Sequence, residues 1–265
     1  MNGLKALKKG ITRINKFIFP YLNELGHERK CFVCNKTFYR FAKYKNGQKS
    51  TSPFIKHLNV VGSDPDNFKC IYCGSSDRER HLFMFFTELN LWDSVSSSSV
   101  LHFAPERELS MKLESLKPSE YIKADLFPKD ESIMKLDATR IFFEDFRFDL
   151  IICNHVLEHI PDYFTALKEL YRVLKTGGKA ILQTPYSKLI SNNFEDANIS
   201  TEDQRLFFYG QRNHVRVFSQ DQLFRDLELV GFRLNIVAND SIFNEVDCHY
   251  YGVNRVEDLV MVIKD

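Results

Sequence analysis

From Val100 to the end of the chain, short apolar runs alternate with amphipathic ones, and this alternation restricts the possible folds more than any other feature. "SVLHFA" reads as a strand and "PERELSMKLESL" as a helix with proline at its first position. "YIKAD" is a second strand ending in Asp125, and "IMKLDAT" a third carrying Asp137. A strongly apolar fourth strand runs through "RFDLIICNHVLEHI" to about Asn154. "DYFTALKELYRVLKTGG" is an amphipathic helix closed by glycines, followed by the fifth strand "KAILQTP". After a further helix, "SQDQLFRDLELVGF", come "RLNIVAN" and "DLVMVIK". The pattern predicts the α/β class: a Rossmann-like, doubly wound, mostly parallel seven-stranded sheet with helices on both faces. Ligands of such sheets sit at the carboxyl ends of the strands, beside the switch in strand order. Asp125, Asp137, Asn154 and His155 fall there. A carboxylate at Asp125 can accept both hydroxyls of a ribose, and one at Asp137 an exocyclic amine; each acid also has an ordinary reading as a cap or turn residue.

A chain of 265 residues holds one full-sized domain and a small appendage. A net charge of +1 gives no support to a whole-protein nucleic-acid binder. No run reaches eighteen apolar residues and no secretory pattern opens the chain, so a cytoplasmic protein with reduced or metal-bound cysteines is expected. Leu4, Leu7, Ile11, Ile14 and Ile18 form one stripe of a helix, opposite Lys5, Lys8, Lys9, Arg13 and Lys16. Such a helix can touch an anionic membrane with residues 1–20, or dock on its own protein or a second subunit. The predicted division is an amphipathic helix (1–30), a cysteine module (31–80), a connecting helix with a serine linker, "SVSSSS" (81–96), and the α/β domain (97–265).

Two Cys-x-x-Cys pairs, Cys31 with Cys34 and Cys70 with Cys73, match a four-sulfur structural zinc site resembling a zinc ribbon. Gly74 permits the sharp knuckle after the second pair. The long segment between the pairs predicts a hairpin turning near Asn46-Gly47. Cys153 and Cys248 read as core thiols. Arg78, Arg80 and His81 open the next helix, either as an anion site or as a salt-bridged helix start.

"FDLIICNHVLEHIPDYFTALKELYRVLKTGGKAILQTPY", with "VLHFAPE", "YIKADLF" and "MKLDAT" in order before it, resembles class I S-adenosylmethionine-dependent methyltransferases from about Ser97 to Asp265. The cysteine pairs, the Arg-Glu-Arg-His helix start and "LHFAPE" resemble one bacterial branch of that superfamily. The resemblance implies S-adenosylmethionine as cofactor, held by His102, Phe103, Ala104, Glu106, Asp125, Leu126, Asp137, Ala138, Asn154 and His155. Here His102 stands at the usual acid, Ala104 at the first glycine and Glu106 at the second. The cofactor carries no phosphate, so a loop without glycine is still usable: Ala104 is small, and Glu106, expected in the first helical turn, can face the ammonium.

His155, His159 and His214 are candidate general bases. The long segment after the fifth strand is expected to build the acceptor site, with Tyr209, Gln211, His214 and Arg216; Arg216 is either an anion anchor or the partner of a nearby acid. The expected acceptor is a small molecule or a glycan-linked group. An RNA base is the first alternative, because an N-terminal zinc module on this fold also resembles certain ribosomal RNA guanine methyltransferases. A non-catalytic binding protein is the second.

Overall fold

The computed structural model describes Glu24 and residues 26–265. The basic stripe expected over residues 1–20 lies outside the described residues. A ribbon of β1 (Arg29–Lys30) and β2 (Thr37–Phe38) is followed by a short helix α1 (Pro53–His57) and by α2 (Asp77–Glu88). Next come β3 (Ser99–Phe103), α3 (Arg107–Ser115), β4 (Glu120–Asp125), β5 (Met134–Lys135) and β6 (Phe148–Cys153). Helix α4 (Tyr163–Val173) leads into β7 (Leu174–Ile181) and a short β8 (Tyr186–Ser187). The chain ends with α5 (Glu202–Tyr209), β9 (Phe218–Ser219), α6 (Gln220–Val230), β10 (Phe232–Val237), α7 (Glu245–Tyr251) and β11 (Leu259–Lys264).

Seven strands share one sheet in the order β10-β11-β7-β6-β3-β4-β5. Strands β3 to β7 are parallel, and β11 is antiparallel to both β7 and β10. The doubly wound, mostly parallel sheet expected from the alternation is the one observed. Its first strand, β3, lies inside the sheet; β4 and β5 add outward, and β6 returns to the other side of β3. That reversal leaves a crevice above the carboxyl ends of β3 and β6. Successive side chains point to opposite faces. Leu101, Phe103, Ile151 and Cys153 pack with Leu167 and Leu170 of α4 and Leu223 and Leu227 of α6. Val100, Leu150 and Ile152 pack with Leu82–Phe86 of α2 and Leu109 and Leu113 of α3, in a cluster that also buries Cys248. Cys153 and Cys248 are free core thiols.

Several local expectations are corrected. Helix α3 begins at Arg107, not at Pro105, and Glu106 is its extended N-cap residue. Gly47 starts a 3-10 turn (Gly47–Ser50) instead of a hairpin, and β2 pairs back to β1 around the first cysteine turn. The serine stretch is no loose linker. Leu91–Ser97 forms a 3-10 helix in which the Ser94 hydroxyl donates to Leu91 O (3.0 Å) and Val95 is fully buried. Gly177 and Gly178 lie within β7, not at a helix end, because Leu174 is already extended and pairs with Phe148.

Helix α2 joins the cysteine module to the sheet through side chains pointing opposite ways. The Arg80 guanidinium is fully buried and donates to the carbonyls of Ser75 (2.8 Å), Asn67 (2.5 Å), Tyr251 (3.0 Å) and Gly252 (2.8 Å). It also lies 3.8 Å over the Phe41 ring. Glu79 accepts the Leu109 N–H (2.9 Å) and so caps α3 across space, since Glu106 makes no cap of its own.

Arg80→Met removes the guanidinium from four carbonyls, of which Ser75 O keeps the Cys70 N–H. It is expected to cost on the order of 4 kcal/mol, read from the urea midpoint, and Arg80→Lys, lacking the planar fork, to recover only part. Burial pushes the Glu79 carboxyl up to about 7 from 4.5. A raised carboxyl makes its full contribution below the unfolded value and loses it as pH climbs through the folded one. Glu79→Gln keeps the acceptor oxygen and is therefore expected to raise the melting temperature at pH 8 and leave it nearly unchanged at pH 4. Equal shifts at both pH values in a calorimetric scan contradict this.

Candidate active site at the switch in strand order

The crevice is flanked by two residues in the left-handed backbone region that favours glycine. Ala104, directly after β3, has φ +46°, and His155, just past β6, has φ +55°. Each costs roughly 1 kcal/mol or more relative to a relaxed backbone. Main-chain bonds hold both in place: Ala104 N–H donates to Ala124 O (2.8 Å) and His155 N–H to Gln183 O (2.7 Å). Ala104 thus takes a glycine-like shape at the position where the sequence aligns a glycine, and it is exposed.

Glu106 ties the two sides of the crevice together. One carboxylate oxygen lies 3.0 Å from His102 Nε2, and the other accepts the Asn154 amide at 2.5 Å. Burial works against its charge, but the His102 bond and charge outweigh it, and its carboxyl lies below the usual range. His102 is fully buried, with Nδ1 on the Tyr121 hydroxyl (2.9 Å). It is therefore a support for Glu106, not a ligand-facing stand-in for the usual acid. Asp125 ends β4 half-buried; one oxygen accepts Phe127 N–H (2.8 Å), and the other has no partner among the described residues. Asp137 is exposed and accepts from Thr139 N–H and hydroxyl, both at 2.8 Å. Leu126 is exposed beside them, whereas Phe103 and Ala138 turn their side chains into the core.

Beside the crevice lies a cavity of about 630 Å³. It is closed by two segments far apart in sequence. In α1, between the cysteine pairs, Phe54 stacks near Phe194 (5.1 Å) and Phe208 (5.2 Å), on the insert carrying α5. The Ser52 hydroxyl donates to Phe207 O (2.6 Å). Lys45, Lys56, Arg78 and Arg212 line this cavity, and among the described residues no carboxylate does; Tyr209, Gln211, His155 and His214 are also on its wall. Arg212 is paired with Asp203 (2.7 Å), while the buried Nε of Arg78 has no hydrogen-bond partner among the described residues.

The three candidate bases differ sharply in environment. His155 sits between Glu158 and Glu257, each 3.4 Å from one ring nitrogen. Burial and Arg78 push its pKa down, but the two carboxylates prevail and raise it, so His155 favours the cation and is a poor base. Burial lowers His214 to about 4. Its Nδ1–H donates to Tyr209 O (3.0 Å), leaving Nε2 as a lone pair 3.9 Å from Glu158 Oε1. His159 is half-buried against the His214 ring (4.7 Å), with Nδ1 3.2 Å from Asn213 O. Glu158 and Glu257 were not singled out from the sequence. Glu158 stands openly in "VLEHIPD", but Glu257 reaches His155 only through the fold.

Arg216 is not a free anion anchor. It is buried, pairs with Glu195 (2.8 Å), donates to Leu157, Ile160 and Pro161 carbonyls, and lies 4.6 Å over the Tyr163 ring. Arg78 supplies the cavity cation instead. Arg80 is structural, and His81 is buried between Asn239 (2.7 Å) and Glu257 (3.4 Å). The Tyr209 hydroxyl is bonded to Asp196 N–H (2.9 Å), so this side chain serves as wall.

The four cysteines converge. Cys31 and Cys73 sulfurs are 3.7 Å apart, Cys34 and Cys70 3.8 Å, and all are free thiols. A tetrahedron with metal–sulfur bonds of about 2.3 Å has edges of about 3.8 Å. Both turns share one shape: Asn35 N–H donates to Cys31 O and Gly74 N–H to Cys70 O, with φ +60° and +81°. Burial pushes Cys34 up to about 11, and the Cys31 hydrogen bond raises Cys70 further, while Cys70 in turn draws Cys31 down to about 4. Four thiolates can coexist here only around a cation.

A family profile described as a methyltransferase domain matches residues 59–236. The demethylmenaquinone methyltransferase of Oceanobacillus iheyensis is 26% identical over 151 residues, 57% of this chain and 56% of that protein. The tRNA U34 carboxymethyltransferase of Nautilia profundicola is 29% identical over 142 residues, 52% of this chain and 44% of that protein. The chain spans about half the length of these curated relatives. Among solved structures, an S-adenosylmethionine-dependent methyltransferase from Mesorhizobium loti covers 68% of this chain and 98% of its own, at 12% identity and a TM-score of 0.49. With its profile match running from the cysteine module's long loop to β10, the chain belongs to the methyltransferase domain family.

Proposed function

We propose that this chain is an S-adenosylmethionine-dependent methyltransferase that takes its acceptor in the cation-lined cavity. The observation that carries this reading is the open crevice: an exposed small residue in a glycine-like conformation above β3, and at the end of β4 a half-buried carboxylate with one oxygen unoccupied. These residues fit the cofactor. Asp125 would hold the ribose, Asp137 the adenine amine, and Glu106 with Asn154 the methionine end. The bound cofactor supplies an activated methyl group on a cationic sulfur. The chain's own contribution is alignment, which can lower the barrier by ~7–11 kcal/mol. Asn154 and His155 are consecutive, so the residue bonded to the cofactor loop adjoins the one on the cavity wall.

Lys45, Lys56 and Arg78, unopposed by any lining acid, favour an acceptor with an acidic group, whether a small molecule or a glycan-linked one. An RNA base is the competing reading, since one curated relative is named for tRNA. The net charge of +1 offers little backbone attraction. The four cysteines would hold one structural zinc, whose filled coordination leaves it no part in chemistry. Residues 31–80 would then form the metal module, 81–96 the connection and 97–265 the catalytic domain. No described helix is long and apolar enough to cross a membrane. A cytoplasmic location remains this reading's expectation.

Calorimetry is expected to detect S-adenosylmethionine binding to the wild type. Asp125→Ala should weaken it by at least about 30-fold, the loss of roughly 2 kcal/mol of charged hydrogen bonding, with an unchanged melting temperature. A wild type that binds no cofactor leaves only a scaffold protein. Steeply salt-dependent affinity for RNA would favour the RNA reading. Cys70→Ser is expected to lower zinc content by one ion per chain in elemental analysis.

A further inference from the structure

We propose that Glu158, His159 and His214 form a second metal site, for one divalent transition-metal ion, in the wall of the cavity. Their ligand atoms all lie within 4.8 Å of one another. Glu158 and His214 are almost fully buried, with side chains 1% and 5% exposed. The atoms they turn toward each other, Glu158 Oε1 and His214 Nε2, are 3.9 Å apart; neither makes a hydrogen bond among the described residues, and Oε1 also lies 3.4 Å from His155 Nδ1. The 3.9 Å separation is too long for a hydrogen bond. Since Nδ1 already meets the Tyr209 carbonyl, Nε2 of the neutral ring is a lone pair facing a carboxylate oxygen. His155 offsets the Glu158 charge from one side, but the buried His214 Nε2 still faces an acceptor, an arrangement that a cation between the two atoms relieves.

The surroundings are those of a metal site. Each imidazole has Nδ1 on a main-chain carbonyl, His214 on Tyr209 (3.0 Å) and His159 on Asn213 (3.2 Å), which fixes the tautomer and leaves Nε2 for a metal. The second Glu158 oxygen accepts the Thr184 hydroxyl at 2.9 Å, so the carboxylate is oriented as well. Two imidazoles and one carboxylate suit Zn²⁺, Fe²⁺ or Mn²⁺, whereas the four thiolates elsewhere select zinc. Three protein ligands leave a coordination position open, and His214 itself lines the cavity. The site stands on this geometry and does not require that the cavity receive a methyl acceptor.

The test is a Co²⁺ titration of the chelator-stripped full chain, followed by absorption. Two ions per chain are expected: one with intense thiolate charge-transfer absorption, one with weak ligand-field bands only. His159→Ala removes a half-buried side chain. It is expected to weaken the second phase at least 100-fold and leave the thiolate band and the melting temperature unchanged; Cys70→Ser should do the reverse. Glu158→Gln, checked for folding by circular dichroism, should repeat the His159→Ala result. A single Co²⁺ per chain with thiolate absorption only, or a second phase of undiminished affinity in His159→Ala, overturns the proposal.

Discussion

The arrangement of this protein depends on one buried guanidinium. Arg80 binds carbonyls from the cysteine module on one side and from the C-terminal end of α7 on the other. It is the first-turn neighbour of Glu79, which caps α3 at the start of the crevice. The module is thereby held against the sheet, and the loop between the cysteine pairs reaches the insert after β7. Without that placement neither wall of the cavity would have a partner. A guanidinium suits the task because its planar set of donors can meet several carbonyls at once while its face packs on Phe41.

Charge is distributed around the crevice in a consistent way. Acids that face the interior are each matched to imidazoles or amides: Glu106 to His102 and Asn154, Glu158 and Glu257 to His155. Of the cations that line the cavity, Arg212 is paired with Asp203, whereas Lys45, Lys56 and Arg78 share the lining with no acid among the described residues. Burial raises the cost of any unmatched charge, so this pairing lets a polar site form at the centre of an otherwise apolar domain. Ala104 and His155 carry backbone strain at the same place, and strain of this kind persists only where surrounding bonds over-determine it.

Much of this was legible in the residues. The seven strands, their parallel character and the position of Asp125 and Asp137 at strand ends follow from apolar periodicity, a local property that burial on a sheet imposes directly. The cysteine pairs were visible because two ligands of one turn must be close in sequence. The local errors share a cause. Pro105, Gly47 and Gly177–Gly178 carry turn propensities that tertiary pairing overrode, and the serine stretch found its own carbonyl partners.

The sequence by itself determined the layers, the switch in strand order and the chemistry available at each strand end, because these depend on spacing of two or of about four residues. Only the tertiary structure decided which side chains remain free. Arg216 is consumed by carbonyls of the loop after β6, His102 by Glu106 and Tyr121, and Arg80 by the carbonyls of Asn67, Ser75, Tyr251 and Gly252, while Arg78 is left on the cavity wall. The meeting of Glu158 with His214, and of His155 with Glu257, joins residues roughly 50 to 100 positions apart. No local pattern encodes such contacts, since they exist only once the sheet has brought separate strand ends to one rim.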